Sequence, residues 1–290
     1  MSSARLALGA AFAAILFLGA VYAALSPILQ PIQFPRIQMP LFTAGAGNVV
    51  DEFSLKRGTN VSGTVKYVVL NVTMKYGGVN ILFSDTPNLA CNVSFSRNSN
   101  NSELQTAYSE SNSSTVLNVD LYGENGALNV TLGKGYQYSG VCGLKIGGVT
   151  MGLNENSNVS KFAVSIKYIG GLLLKVDSGA SFERIDFDVN AGGLQLTVNA
   201  TSLRRDGAVN ANVEMGGVVM NANVDKAEVG VSLNSTVDVG GVYINNADFE
   251  GPNSAAKTTG YASATSKLDV NVAVGLGGVL LQQNAMFNFG

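Results

Sequence analysis

Along most of the chain apolar and polar residues alternate, and at intervals a pair of glycines interrupts the alternation. Ile185, Phe187 and Val189 alternate with Arg184, Asp186 and Asp188, and Val209, Ala211, Val213 and Met215 alternate with Asn210, Asn212 and Glu214. A period of two marks a β-strand with one buried and one wet face. Beyond the glycines the pattern resumes, with Val218, Met220, Ala222 and Val224 on one side and Val219, Asn221 and Asn223 on the other. In most units the apolar parity flips across the doublet, from Tyr76 to Val79, Met215 to Val218, Val239 to Val242 and Leu276 to Val279. A flip needs a bulge or a corner, which glycine permits. A plain hairpin would use the same glycines but would predict antiparallel pairs.

The doublets are Gly77-Gly78, Gly147-Gly148, Gly170-Gly171, Gly192-Gly193, Gly216-Gly217, Gly240-Gly241 and Gly277-Gly278. From the second to the sixth the steps are 23, 22, 24 and 24 residues, and the first gap, 70, is close to three such steps. A fixed period in this range marks a repeat architecture, in which each unit buries its apolar face against its neighbours. The expected fold is all-β, a β-solenoid over residues 48–290. Each coil of roughly 23 residues would carry two short strands, a glycine corner and a polar return, with like strands parallel and about 4.8 Å apart. Outward Asn and Ser either form ladders between coils or are ordinary solvated surface. Residues 98–114 and 246–260 break the rhythm; the first reads as a surface loop, and insertions of this kind emerge on one side, where binding tends to live.

The amino-terminal part is different. Residues 6–25 are uncharged, and about 20 residues at 1.5 Å each span a ~30 Å hydrocarbon core. Arg5 lies on one side with no basic residue close on the other, which puts the amino terminus in the cytoplasm and the bulk outside. A cleavable signal peptide ending near Val21-Tyr22-Ala23 is the alternative, and either way the body is exported. Four prolines, at 27, 31, 35 and 40, make residues 26–47 an extended spacer.

Cys91 and Cys142 are the only cysteines. In an exported chain they read first as a disulfide, closing a loop that would add about 4 kcal/mol, and otherwise as two buried thiols. Nine glycosylation sequons start at Asn60, Asn71, Asn92, Asn100, Asn112, Asn129, Asn158, Asn199 and Asn234, a pattern that fits a cell surface.

Charged residues are only 13 %, the net charge is −2 and no basic cluster occurs, which argues against nucleic acid as a partner. Histidine is absent, removing the commonest general base and metal ligand and any hydrolytic triad. Asp186 and Asp188 resemble a paired carboxylate, and with Asn190 a calcium site; Asp248 and Glu250 are a similar pair. Arg184 shares the face of the first pair, so a solvated strand face is the simpler account, and no calcium-loop repeat is present. No catalytic residue, metal or cofactor is expected.

The glycine-punctuated GGV and GGL units, best seen at 170–176, 192–198, 216–224 and 240–244, resemble the adhesin-like toast-rack family, the domain of unknown function 4097 group. The resemblance covers about residues 60–290. It implies a stacked right-handed β-helix and a cell-envelope role, and supplies no catalytic residue. The expectation is therefore a membrane-anchored surface protein with a structural or adhesive role. Its partners would be the lipid bilayer through residues 6–25 and either an envelope component or further copies of itself. Alternatives are a filament subunit joined through uncapped ends, the alternating Met286–Gly290 terminus included, and an enzyme acting on envelope polysaccharide.

Overall fold

The structure, a computed structural model, describes residues 49–97, 103–111 and 115–282. The expected anchor, spacer and Met286–Gly290 terminus lie outside the described residues. Among those described, no helix is long and apolar enough to cross a membrane.

The chain forms β1 (Val49–Lys56), β2 (Tyr67–Pro87), β3 (Leu89–Arg97), β4 (Gln105–Glu110), β5 (Val116–Lys134), β6 (Gln137–Leu153) and β7 (Val159–Asp177). Next come β8 (Phe182–Ala200), β9 (Gly207–Val224), β10 (Val229–Asn245), β11 (Phe249–Glu250), β12 (Ala255–Thr258) and β13 (Ser266–Gln282). One 3-10 turn, Tyr261–Ser263, precedes β13. All thirteen strands belong to one sheet.

Its body is eight long strands, in the spatial order β5-β2-β6-β7-β8-β9-β13-β10, all parallel and in register. Each is one rung of a solenoid-like stack, and the doublets line up across it. Gly126, Gly77, Gly147, Gly170, Gly192, Gly216, Gly277 and Gly240 form one continuous row. Ladder pairing resumes directly at each doublet, so the corner is a bend inside one long strand and not a break between two. Burial flips parity across the bend as the sequence pattern requires. In β8 the buried residues are Ile185, Phe187 and Val189, then Leu194, Leu196 and Val198. Both legs of every rung thus face one core, each fully buried Val, Leu or Ile contributing about 1.5–3 kcal/mol of transfer free energy.

The first glycine of each doublet is fixed by the stack itself. In the seven doublets a Cβ there would lie 1.5–1.8 Å from a glycine carbonyl oxygen in the adjacent rung, and Gly192 also has φ +146. The second position is open: a Cβ on Gly193 would meet nothing nearer than 3.5 Å, and on Gly241 nothing within 4 Å. The rung in β5 carries Ala127 at this second position, as Asn125-Gly126-Ala127-Leu128. That eighth bend, lacking the doublet, together with β3 and β4 before it, fills the long gap between the first two pairs.

The structure departs from several expectations. The rungs do not stack in chain order, because β5 lies outside β2, and β13 is wedged between β9 and β10. The expected loop at 98–114 contains β4, which runs antiparallel along the first leg of β5 (Gln105↔Tyr122 to Glu110↔Leu117). Its residues are nearly all exposed, so it has no apolar face and shows no alternation. The 246–260 stretch forms β11 and β12, and β12 pairs antiparallel with Ser232–Asn234 of β10. Both irregular stretches are therefore end caps, satisfying backbone groups that a bare edge would leave open. At the β5 end the cover extends further, since β3 lies along its second leg and β1 along β3. A further correction, to which residues the bend buries, belongs with the surface it creates.

Candidate interaction surface

Outward positions on the first leg build amide ladders between rungs. Asn210 Nδ2 donates to Asp186 Oδ1 at 2.8 Å, Asn271 Nδ2 to Asn210 Oδ1 at 3.0 Å, and Asn234 Nδ2 to Asn271 Oδ1 at 3.1 Å, which links β8, β9, β13 and β10. Shorter runs join Asn212 to Asp188, Asn223 to Asn199 and Asn71 to Asp120. Of the two roles open to the outward amides, these are ladders.

The candidate carboxylates are rungs of the same ladders. Asp186 also accepts from Arg184 Nε at 2.7 Å and lies 3.8 Å from Lys161 Nζ. Partial burial pushes its carboxyl up, but the hydrogen bonds from Asn210 and Arg184 and the nearby cations outweigh this and hold it below the usual carboxylate range. Asn190 does not join Asp186 and Asp188; its amide donates to the Lys167 carbonyl at 3.1 Å. Asp248 is ion-paired with Lys226 at 2.6 Å, and its companion Glu250 lies on β11. Among the described residues no group of three acidic, thiol or imidazole side chains could hold a metal.

The expected Cys91–Cys142 disulfide is not formed, and both are free, buried thiols. Cys91 lies on β3 beside the second leg and Cys142 on the first leg of β6, with β5 and β2 between them in the sheet, which alone separates them by about 14 Å along the stack at 4.8 Å per strand. A disulfide needs Cα atoms within about 7 Å. Burial pushes both thiols up to about 12, so they behave as small apolar core residues.

Of the nine sequon asparagines, Asn100 and Asn112 lie outside the described residues. Asn71, Asn129, Asn199 and Asn234 belong to ladders. The Asn60 side chain clamps its own turn through Lys56 N and the Ser54 carbonyl, and Asn158 Oδ1 accepts from Arg205. Asn92 is exposed on β3.

The concavities are shallow. One of about 370 Å³ lies over the return turns, beside Lys134, Tyr136, Glu155 and Arg204. There Arg204 donates to the Glu155 carbonyl, so internal bonds occupy its polar groups. Another, of about 350 Å³, lies where Gly275 leaves a notch between Glu214 and Asp238.

The main surface feature is apolar and lies along the bend. Period-two parity places Tyr76, Met215, Val239 and Leu276 inside, but all four are exposed. The inward run ends two residues earlier, at Met74, Val213 and Val274 in their rungs, so the residue before each doublet turns outward. These residues fall in register. Tyr76, Ile146, Ile169, Ala191, Met215, Leu276 and Val239 pair in that order from β2 to β10. Apart from Ala191, each is between 39 % and 61 % exposed. Seven rungs at about 4.8 Å give an apolar ridge roughly 30 Å long. It accounts for six of the thirteen large exposed apolar side chains among the described residues.

The row beside the ridge is charged. It starts with Glu124 on β5, continues with Lys75 on β2, Lys145 on β6 and, where the β7 register shifts, Lys167, and carries Glu214 and Asp238 on β9 and β10. Lys75 is bonded to Glu124 of β5, which holds that carboxyl below its usual range.

No protein-family model matches the chain, and no curated protein matches it in sequence. Among solved structures it is similar to a "putative cell adhesion protein" from Clostridium sporogenes. The TM-score is 0.52 at 15 % identity, covering 82 % of this chain and 100 % of that one. The likeness is one of fold, a distant adhesin-like all-β architecture.

Proposed function

We propose that this chain is a β-solenoid surface protein with a structural or adhesive role, held at a membrane by residues 6–25 and lifted from it by the proline spacer at 26–47. The observation that carries this reading is the in-register parallel stack. Many of its outward positions form rung-to-rung amide ladders, and its concavities are shallow. Such a stack shares load among many backbone and side-chain hydrogen bonds and presents extended faces, as a mechanical element requires. The fold-level likeness to a protein named for cell adhesion supports the same assignment. The chemistry is binding and support and not catalysis: the chain has no histidine, and its candidate carboxylates are tied to amides and cations. End-to-end filament growth is the less favoured mode, because β3 and β4 cover both legs of the β5 rung.

The topology is tested on intact cells. External protease is expected to release a fragment lacking residues 1–45, leaving the folded body whole. A body that resists protease until the cells are lysed overturns the surface placement.

A further inference from the structure

An exposed apolar strip of this length, set apart from the rest of the surface by its regular register, is an interaction surface. Two features of the strip select its occupant. Its central rung carries the smallest side chain, Ala191 on β8, with Ile169 and Met215 on either side. The flanking charges divide about β8: before it three lysines, Lys75, Lys145 and Lys167, outweigh the one carboxylate, Glu124, and after it stand Glu214 and Asp238.

We propose that the ridge is the interface of a homodimer, in which a second copy of this chain lies antiparallel along the bend with a two-fold axis passing beside Ala191. A two-fold contact is self-complementary, so a residue one rung before the centre meets one a rung after it. Counting outward from β8, Ile169 meets the partner copy at Met215, Ile146 at Leu276, and Tyr76 at Val239. In the adjacent row, which the same axis brings together, Lys167 meets Glu214 and the Lys75–Glu124 pair meets Asp238. Lys145 meets the shallow notch lined by Glu214, Asp238 and Gly275, whose two carboxylates suit its ammonium group. Parallel packing of two copies would instead bring like rungs together and lose these pairs. Asp188, one outward position further from the bend, is held by the Asn212 amide at 2.9 Å. The pairing is independent of the membrane anchor, so it stands or falls separately from the proposed surface placement.

The test uses the full-length chain in its host membranes or in detergent micelles. A residue beside a two-fold axis faces its own counterpart, so Ala191→Cys is expected to give a disulfide-linked dimer on mild oxidation. Thr197→Cys, outward on the second leg and away from the ridge, is expected to give none. Lys167→Glu and Glu214→Lys are each expected to lower the Ala191→Cys cross-linking yield at least tenfold. The double swap Lys167→Glu/Glu214→Lys is expected to restore it, which a merely misfolded variant cannot do. Equal cross-linking at positions 191 and 197, no cross-link at 191, or failure of the double swap to restore it overturns the proposal. So does protection of the thiol introduced at position 191 by lipid or by a different protein.

Discussion

At the scale of single residues, the two glycines of each doublet have different duties. The first must approach the neighbouring rung so closely that a methyl group has nowhere to go, and the second merely continues the bend. Gly192→Ala is expected to cost more than about 4 kcal/mol or to prevent folding, since a 1.7 Å contact with the Gly170 carbonyl demands movement of the stack. Gly193→Ala is expected to stay within about 1 kcal/mol of the parent, as Ala127 in the β5 rung suggests. Urea unfolding of the two variants measures the difference; equal stabilities would refute the assignment. The doublets are legible in the sequence because their spacing is regular. The unequal burden within each doublet is not, because it depends on a carbonyl from a rung 22 to 70 residues away. Cysteine pairing is obscured for a similar reason, since residue count says nothing about how many strands intervene in a sheet.

At the scale of elements, strand positions and wet faces follow from alternation, and the observed burial in β8 matches the period-two pattern. The register of the turnover at the bend does not follow. A parity flip can begin on either side of a glycine, and apolar residues such as Met215 and Leu276 satisfy the pattern whether they end the inward run or start the outward one. That ambiguity hides the ridge. The caps are hidden because β4 has no buried face to mark it, and because β11 and β12, of two and four residues, are too short to show a period. One anchor of the cap at the β5 end is Tyr138, a fully buried phenol on β6. Its Oη lies 2.8 Å from the Gly133 carbonyl and 3.0 Å from the Ala90 carbonyl, tying β3 to the stack. Removing the hydroxyl leaves buried carbonyls without that donor, so Tyr138→Phe is expected to lose about 1–3 kcal/mol. Amide hydrogen exchange in β3 should quicken more than in β8. Uniform quickening, or none, would show that Tyr138 does not secure the cap.

At the scale of the whole molecule, the repeat period sets the class of architecture but not the winding order. A 37-residue step from Gly240 to Gly277 reads as one more coil beyond the last. Instead the chain passes over a vacant position, forms β10 and its cap, and returns to fill the gap with β13. Composition cannot report this, because the β9, β10 and β13 rungs share the same apolar and amide pattern. Cross-strand amides can, since Asn271 bonds to both Asn210 and Asn234. That insertion, with all rungs parallel and in register, is the central structural claim. It is tested by engineered cysteine pairs, because the native thiols, buried and raised to about 12, stay silent at neutral pH. Adjacent rungs place Cα atoms about 4.8 Å apart and alternate rungs about 9.6 Å, on either side of the disulfide limit. Asn210→Cys/Asn271→Cys is therefore predicted to form an intramolecular disulfide under mild oxidation, and Asn210→Cys/Asn234→Cys to remain reduced. The reverse outcome, a bond between positions 210 and 234 and none between 210 and 271, would mean that the rungs stack in chain order and that this account of the fold is wrong.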